Sequence, residues 1–543
     1  MIHGSVMSGQ NIRDANTTAV QSVAHLLRTS LGPKGLDKML VDEVGELTIT
    51  NDGATILQRL EVEQPAAKVL VELSALQDSE VGDGTTSVVL LAAELLRRAN
   101  ELVKMQVHPS TIIAGYRLAL KESVRFIKET MALKLDAIGK DVLINVAKTT
   151  LASKIIGSES GKFEKMIVDA VQCVKTPRSD GKFRYPVSQV NIVKSYGRSM
   201  EETQCLGNGC IIPLSRAAQG MPTRIQNAKI ALLDFPLHKF KMKMGVEILA
   251  TDPASLEKIR QRELDILKER IDKITSTGAN VVFTTKGIDD VALKYFVHSK
   301  ILAVRRVDSH DMRNLAKCTG ATIQITMANM DGEEKFDASA LGFAEEVAEE
   351  RVGEDDMIFV RGCKNARSST ILLRGANEFM VDEVERSVHD ALCAVSRVLE
   401  SNAVVPGGGA VETAVSIYLE DFARTLGSRE QLAIAEFAEA LLIIPKQLAL
   451  NAALDATELV SRLRLNHYRA QTSSDPKHKK YRHHGLDLNA GKCKDAVKNG
   501  VLESLVSKLK SMKFATEAAS TIIRIDDFIK LEPDDQNQQG GMM

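Results

Sequence analysis

The sequence predicts a multidomain chain in which mostly helical segments at the two ends flank an α/β centre. Three observations carry this reading. Apolar residues recur at helical spacing from Asn16 to Ser30, from Pro65 to Lys148 (one helical domain, Asn16 to about Leu143) and again from Ala410 to Leu465, short strands alternate with helices between Gln226 and Ile325, and 543 residues suffice for about three or four cores. Lys+Arg (70) and Asp+Glu (71) nearly cancel, so no global field favours nucleic acid or an anionic membrane. Tryptophan is absent, which argues against a base-stacking surface. Seven scattered cysteines without metal-ligand spacing read as reduced thiols, Cys205 and Cys210 being a free pair. Met1 to Arg13 lacks an apolar signal core, and apolar runs such as Val88 to Leu96 are too short to span a bilayer. The expectation is a soluble cytoplasmic protein with no nucleic-acid and no membrane partner.

Taken in order, Asn16 to Ser30 carries Val20, Val23, Leu26 and Leu27 on one helical stripe, which Gly32-Pro33 stops. Leu31 to Gly35 is then a rigid turn. Met39 to Val41 and Leu47 to Thr50, joined at Asp42 to Gly45, read as a hairpin. Asn51-Asp52-Gly53 ends it. Asp52 is either a turn residue or a carboxylate able to orient a water for attack. Helices follow at Ala66 to Ala75, Ser87 to Gln106, Ser110 to Met131 and Gly139 to Lys148, with His108-Pro109-Ser110 as a cap. Lys154, in Thr149 to Lys154, reads as a solvated residue.

Between the first two of those helices lies Val81-Gly82-Asp83-Gly84-Thr85-Thr86-Ser87. Glycines ahead of a helix start leave N–H groups and the positive dipole end pointing outward, a place for phosphate oxygens. Asp83 stands where a carboxylate holds magnesium. A tight turn with an exposed Asp83 accounts for the heptapeptide equally well.

After Gly157, Lys175 to Lys182 is a charged turn and Val187 to Ser195 is strand-like. Strands are expected at Lys229 to Leu233, Asn280 to Thr284, Leu302 to Val304 and Ala321 to Ile325. Helices are expected from Pro253 towards Thr275, at Asp289 to Ser299 and at Asp308 to Thr319. Thr370 to Arg374 is a strand, and Asn377 to Leu399 a helix whose apolar stripe leaves Asp390 on its polar face, where an acid is ordinarily solvated. Val404 to Ala410 places three glycines before a helix, either a joint or a bare backbone surface for a flat ligand. Ser428 caps a helix and Pro445 interrupts another. Thr472 to His484 is a basic surface loop whose His478, His483 and His484 lack the partners of a metal site. Gly485 to Leu488 and Gly500 to Glu503 carry single carboxylates, and the tail after Glu532 is disordered in composition.

Leu31-Gly32-Pro33, Thr48 to Gly53, Gly82 to Ser87 and Val405 to Gly409 stand in the order and spacing of the group II chaperonins, which the chain resembles from about Asn11 to Lys530. Gly35 to Asp42, Glu385 to Leu392 and Gly427 to Ala435 narrow the resemblance to one subunit type of the eukaryotic cytosolic complex. The resemblance implies the chaperonin fold: an equatorial ATP-binding domain from 1–146 and 404–543, an intermediate hinge domain from 147–212 and 370–403, and an apical substrate-binding domain over 213–369. It implies ATP and Mg²⁺ as cofactors, with Asp83 the metal ligand. Gly32, Pro33, Gly84, Thr85, Thr86 and Ser87 would hold the phosphates and Lys154 would sense the γ-phosphate, with Leu31 and Ser153 also binding the nucleotide. Asp52 and Asp390 would position the attacking water. Gly408 would lie under the ribose or base, with Asp487, Glu503 and Lys508 at the nucleoside end. It further implies hinges near Lys148 to Ser153 and Ser401 to Val405, a helical protrusion from about Lys241 to Arg262, and a client-facing helix at Asp289 to Ser299. Partners would be other chaperonin subunits in a double ring of eight different subunits each, and unfolded clients of the actin and tubulin class. Lys34 and Ala152 depart from the expected pattern and bear on nucleotide affinity. An ATP-dependent transferase would need a second acid/base cluster that the sequence lacks. A ring subunit that binds nucleotide with little hydrolysis is the remaining alternative.

Overall fold

A computed structural model describes residues 4–135, 141–158, 160–239, 253–328, 334–363, 368–473 and 475–531. The chain divides into two compact units, Met1–Glu164 with Arg386–Met543, and Lys165–Glu385.

In the first unit the two chain ends pair directly, Gly4–Ser8 running antiparallel to Asp527–Leu531. Its core is organised around the Thr85–Lys104 helix, whose Val88, Val89, Leu91, Leu95 and Leu96 are buried. That helix packs on Leu505–Ile523 from one end of the sequence and on Gln10–Arg28 from the other. Truncating Leu96 to Ala would cost about 2–5 kcal/mol in so closed a core. Helix starts follow local capping chemistry. Gln64 accepts from Ala66 N ahead of Pro65, His108 from Ser110 N ahead of Pro109, and Asp455 from Thr457 N. The hairpin forms as Lys38–Val41 against Leu47–Thr50.

Several expectations need correction here. A short helix, Gly53–Arg59, follows the hairpin because Asp52 caps it. The Pro65–Val81 helix runs past Ala75, and residues Ile127–Met131 are wound as a π-helix. Ser428 is not a cap: the helix begins at Glu430 after Arg429, and Ser428 offers only its carbonyl, to Gln431 N. Pro445 lies in the first turn of Ile443–Asn451, where its missing N–H leaves no gap. The Thr472–His484 tract contains a 3₁₀ turn, His478–His483.

The second unit holds a six-stranded sheet in the order Leu302–Val304, Val281–Thr284, Arg224–Leu233, Gly342–Val352, Asp355–Arg361, Gly209–Ile212. The first three strands are parallel and the rest antiparallel. Period-two alternation sends Ile230 and Leu232 to one buried face and Ala231 and Leu233 to the other. The helices Asp290–His298 and Ser309–Thr319 cover these faces, together with Pro253–Ser276. Ala321–Ile325 does not form the expected strand. Gln324 makes a single bridge to Leu233; Ala321 and Ile323 pack against the core of the sheet while Ile325 is 73% exposed, so the apolar pattern is used without extended strand pairing. A separate three-stranded sheet joins Ser369–Gly375 to Val190–Tyr196 in parallel and to Gln204–Leu206 antiparallel. Residues 241–252 of the expected protrusion, and the tail from Glu532, lie outside the described residues. Among the described residues no helix is long and apolar enough to cross a membrane.

Candidate functional site

Within the first unit a cavity of about 920 Å³ opens beside the Thr85–Lys104 helix, adjoined by a smaller recess of about 80 Å³ at that helix's N-terminus. The size suits a nucleotide-scale ligand. The recess is set by the turn between two helices. Gly82 (φ +77°) ends one helix and Gly84 (φ +79°) precedes the next. Gly84 has no side chain to cap the helix, so the first N–H groups, from Thr85 to Ser87, stay directed outward. Gln77 Nε2 donates to the Asp83 carbonyl (2.8 Å) and Gly84 N to Asp83 Oδ1 (2.7 Å), which fixes the turn.

Three carboxylates line the recess: Asp52, Asp83 and Asp390. Asp52 comes from the end of the hairpin, where its Oδ2 accepts from Thr55 N (2.9 Å) and Thr55 Oγ1 (2.8 Å). Its Oδ1 accepts from Thr85 Oγ1 at 2.8 Å. Burial works to raise its pKa, but the Lys154 charge and these hydrogen bonds outweigh it and hold the carboxyl below the usual range. Burial raises Asp83 despite Lys154, and raises Asp390 well above its ordinary value, with Asp52 and Asp83 adding repulsion. Lys154 is not solvated: its Nζ meets Asp390 Oδ2 at 2.8 Å, and both side chains are about nine-tenths buried. The neighbouring Ser153 carbonyl accepts from Asn51 Nδ2. Asp390, read as a polar-face acid, likewise faces the recess and is 7% exposed.

The wall beside the recess is the Leu31-Gly32-Pro33 turn. Asn451 Nδ2 holds it by donating to the carbonyls of Leu31 and Arg28, each at 2.8 Å. At the far end Gly408 (φ +67°) lies flat against the His484–Asp487 strand, its carbonyl accepting from Leu486 N at 2.9 Å. A Cβ there would stand 3.0 Å from the Leu486 carbonyl, so only glycine leaves the surface bare. Lys508 bridges Glu412 and Glu503, at 2.7 Å to each. Asp487 accepts from Lys494 Nζ at 2.7 Å, and that hydrogen bond chiefly lowers its pKa. Every residue expected at the site therefore lines the cavity or its recess.

A family model described as the TCP-1/cpn60 chaperonin family matches residues 23–533. The chain belongs to that family. It is 58% identical over 538 residues to T-complex protein 1 subunit alpha of Tetrahymena pyriformis, covering 99% of this chain and 98% of the relative. The alpha subunit of Arabidopsis thaliana is 57% identical, over 98% and 97% of the two chains. Thermosome subunit alpha of Aeropyrum pernix is 42% identical, over 96% and 91%. The higher identity to alpha subunits than to thermosome subunits agrees with the stretches beginning at Gly35, Glu385 and Gly427. Like other chaperonins, the chain is an ATPase subunit that acts in protein folding, and chaperonin subunits form rings and bind unfolded clients.

Sequence reasoning missed three chaperonin residues that shape the cavity. Glu412 shares Lys508, yet its Oε2 is buried without a partner among the described residues. In sequence it is an ordinary first-turn acid, favoured by the helix dipole alone. Asn451 and Gln77 fasten loops far from them in the chain or beside a glycine turn, and their local patterns carry no sign of it.

Proposed function

We propose that this cavity holds Mg-ATP with the phosphates in the recess and the nucleoside towards Gly408. The observation that carries the reading is the charge of the recess: the buried Asp52 and Asp390 and the half-buried Asp83 face one lysine and an uncapped helix N-terminus. An excess of buried negative charge beside outward N–H groups fits a divalent cation shared with phosphate oxygens. When bound, Mg²⁺ supplies neutralisation of phosphate charge. Asp83 is its protein ligand. The N–H groups of Thr85 to Ser87, the Gly84 backbone and the Leu31-Gly32-Pro33 turn cradle the phosphates, with Thr85, Thr86, Ser153 and Lys154 around the γ-phosphate. Asp52 and Asp390 orient the attacking water, which suits phosphoryl transfer, where positioning outweighs covalent chemistry. Gly408, Asp487, Glu503 and Lys508 form the nucleoside end.

The domain layout that goes with this reading is equatorial 1–146 with 404–543, intermediate 147–212 with 370–403, and apical 213–369. Hinges near Lys148 to Ser153 and Ser401 to Val405 carry Asp390 into and out of the site. Support comes from the pairing of both chain ends within one unit. The assembly is a double ring of different subunits in the cytoplasm with clients of the actin and tubulin class. The Lys38–Val41/Leu47–Thr50 hairpin supports a subunit interface, since Met39, Val41 and Val44 are exposed and apolar.

Asp83→Asn tests the core of the proposal. Nucleotide affinity in the assembled ring should fall about tenfold or more in Mg²⁺ and lose its magnesium dependence. An unchanged affinity and magnesium dependence would refute it. A native mass of the assembly, with its subunit composition, checks the ring.

A further inference from the structure

We propose that the contact between Cys393 and Gly82 is a steric stop that sets how deeply Asp390 reaches into the recess, which makes Cys393 a positioning residue for ATP hydrolysis. The inference rests on the proposed role of Asp390 and adds the element that seats it.

Arg386, Asp390 and Cys393 are spaced four and three apart on the Glu378–Ser401 helix and so share one face. Each touches a different segment that leads into the recess. Arg386 Nη2 donates to the Ile49 carbonyl at 3.4 Å, at the end of the hairpin that delivers Asp52. Asp390 meets Lys154. Cys393 lies on the turn that delivers Asp83: a Cβ built on Gly82 would come within 2.8 Å of the Cys393 sulfur and closer still to its Cβ. The helix therefore approaches this turn as nearly as a glycine and a small side chain permit.

The turn is the fixed partner. Gly82 N donates to the Gln77 carbonyl (3.3 Å) and Gln77 Nε2 to the Asp83 carbonyl, so both sides of Gly82 are tied to the preceding helix. Volume added at residue 393 must then lift the helix, and Asp390 rises with it. The sulfur acts as a neutral spacer. Burial, with Asp390 nearby, pushes the thiol up to about 12, and the ring nitrogens of His389 stand 3.9 Å away. A misplacement of about 1 Å is enough to cost on the order of 10²-fold in a reaction that depends on alignment.

The test uses assembled rings carrying the variant in this subunit. Asp390→Asn defines the share of turnover that belongs to the subunit. Cys393→Leu should lower that share about tenfold with the KM for ATP within about twofold, and the smaller Cys393→Val should give an intermediate loss. The isosteric Cys393→Ser should restore turnover to within about twofold of the parent. Full turnover in Cys393→Leu rings overturns the steric stop. If the leucine ring does not assemble, Cys393→Val decides, and parental turnover there overturns it equally. Loss on Asp390→Asn without loss on Cys393→Leu sinks the stop alone, whereas loss at Cys393 with none at Asp390 sinks the catalytic reading of Asp390.

Discussion

The two ends of the cavity solve the burial of charge in opposite ways. At the nucleoside end the charges are settled inside the protein: Lys508 sits between Glu412 and Glu503, and Lys494 answers Asp487. In the recess, three carboxylates share Lys154, and burial pushes two of them up towards protonation. One end pairs each of its carboxylates with a lysine, leaving only Glu412 Oε2 without a partner among the described residues, and the other is short of positive charge. Stability should therefore reside in the first and turnover in the second, because a group held in electrostatic tension is available for chemistry.

The largest effect is expected from removing the lysine at the paired end. Lys508→Met leaves the buried Glu412 and the partly exposed Glu503 without a counter-charge, at a cost of about 4 kcal/mol at neutral pH. Denaturant unfolding of the purified subunit measures it. Burial and Glu412 already raise Glu503, so in the variant the carboxylates take up protons readily and the loss should shrink at acid pH. At the strained end, Asp390→Asn should lower this subunit's own share of ATP turnover about 10²-fold, worth about 3 kcal/mol in the barrier. Its effect on unfolding should stay within about 1 kcal/mol, since Asp52 and Asp83 keep Lys154 company. If both substitutions destabilised the fold equally, the contrast between the two ends would collapse.

What could be read beforehand follows the same divide between local and distant causes. The Gly82 to Ser87 turn, the cap at His108, the helix from Asp308 to Thr319 and the hairpin from Met39 to Thr50 were legible, because a few consecutive residues decide them. The fates of Lys154 and Asp390 were not. Each looks like a surface residue in its own segment, and only their meeting buries both. Family resemblance placed them at the site where periodicity alone left them in solvent. Ala321–Ile325 failed in the other direction: a strand-like pattern needs a partner along its length, and the sheet offers it one bridge. Glu412 and Asn451 escaped because their partners lie 96 and 420 positions away.

Acid should loosen the floor of the nucleoside end before it reaches the ion pairs. His467 is 1% exposed on the Ala456–Thr472 helix, and its Nε2 donates to the carbonyl of His484, the first residue of the strand that supports Gly408. Burial depresses its pKa from 6.5 to about 4, and neighbouring His483 and His484, themselves depressed by burial, add repulsion. Between those values the unfolded chain binds a proton that the folded one does not. The contribution is therefore present above about pH 6.5 and lost as pH falls towards 4, by about 3 kcal/mol. His467→Gln should flatten that stretch of the stability profile. A profile as steep in the variant as in the parent would place the acid sensitivity elsewhere.

The smallest effect belongs to Lys494→Ala. The lysine side chain is 48% exposed, and Asp487 keeps two backbone donors, Asn489 N and Ala490 N at 3.1 Å each, when the ammonium is gone. Solvent screens such a pair, so the loss in stability should stay below about 0.5 kcal/mol and shrink further in salt. Nucleotide affinity is the sharper readout, since a freed Asp487 can turn to a ribose hydroxyl. Tighter binding in the variant, measured by equilibrium titration with ATP, would show that the ion pair competes with the ligand for that carboxylate, whereas weaker binding would mean that Lys494 itself reaches the ligand.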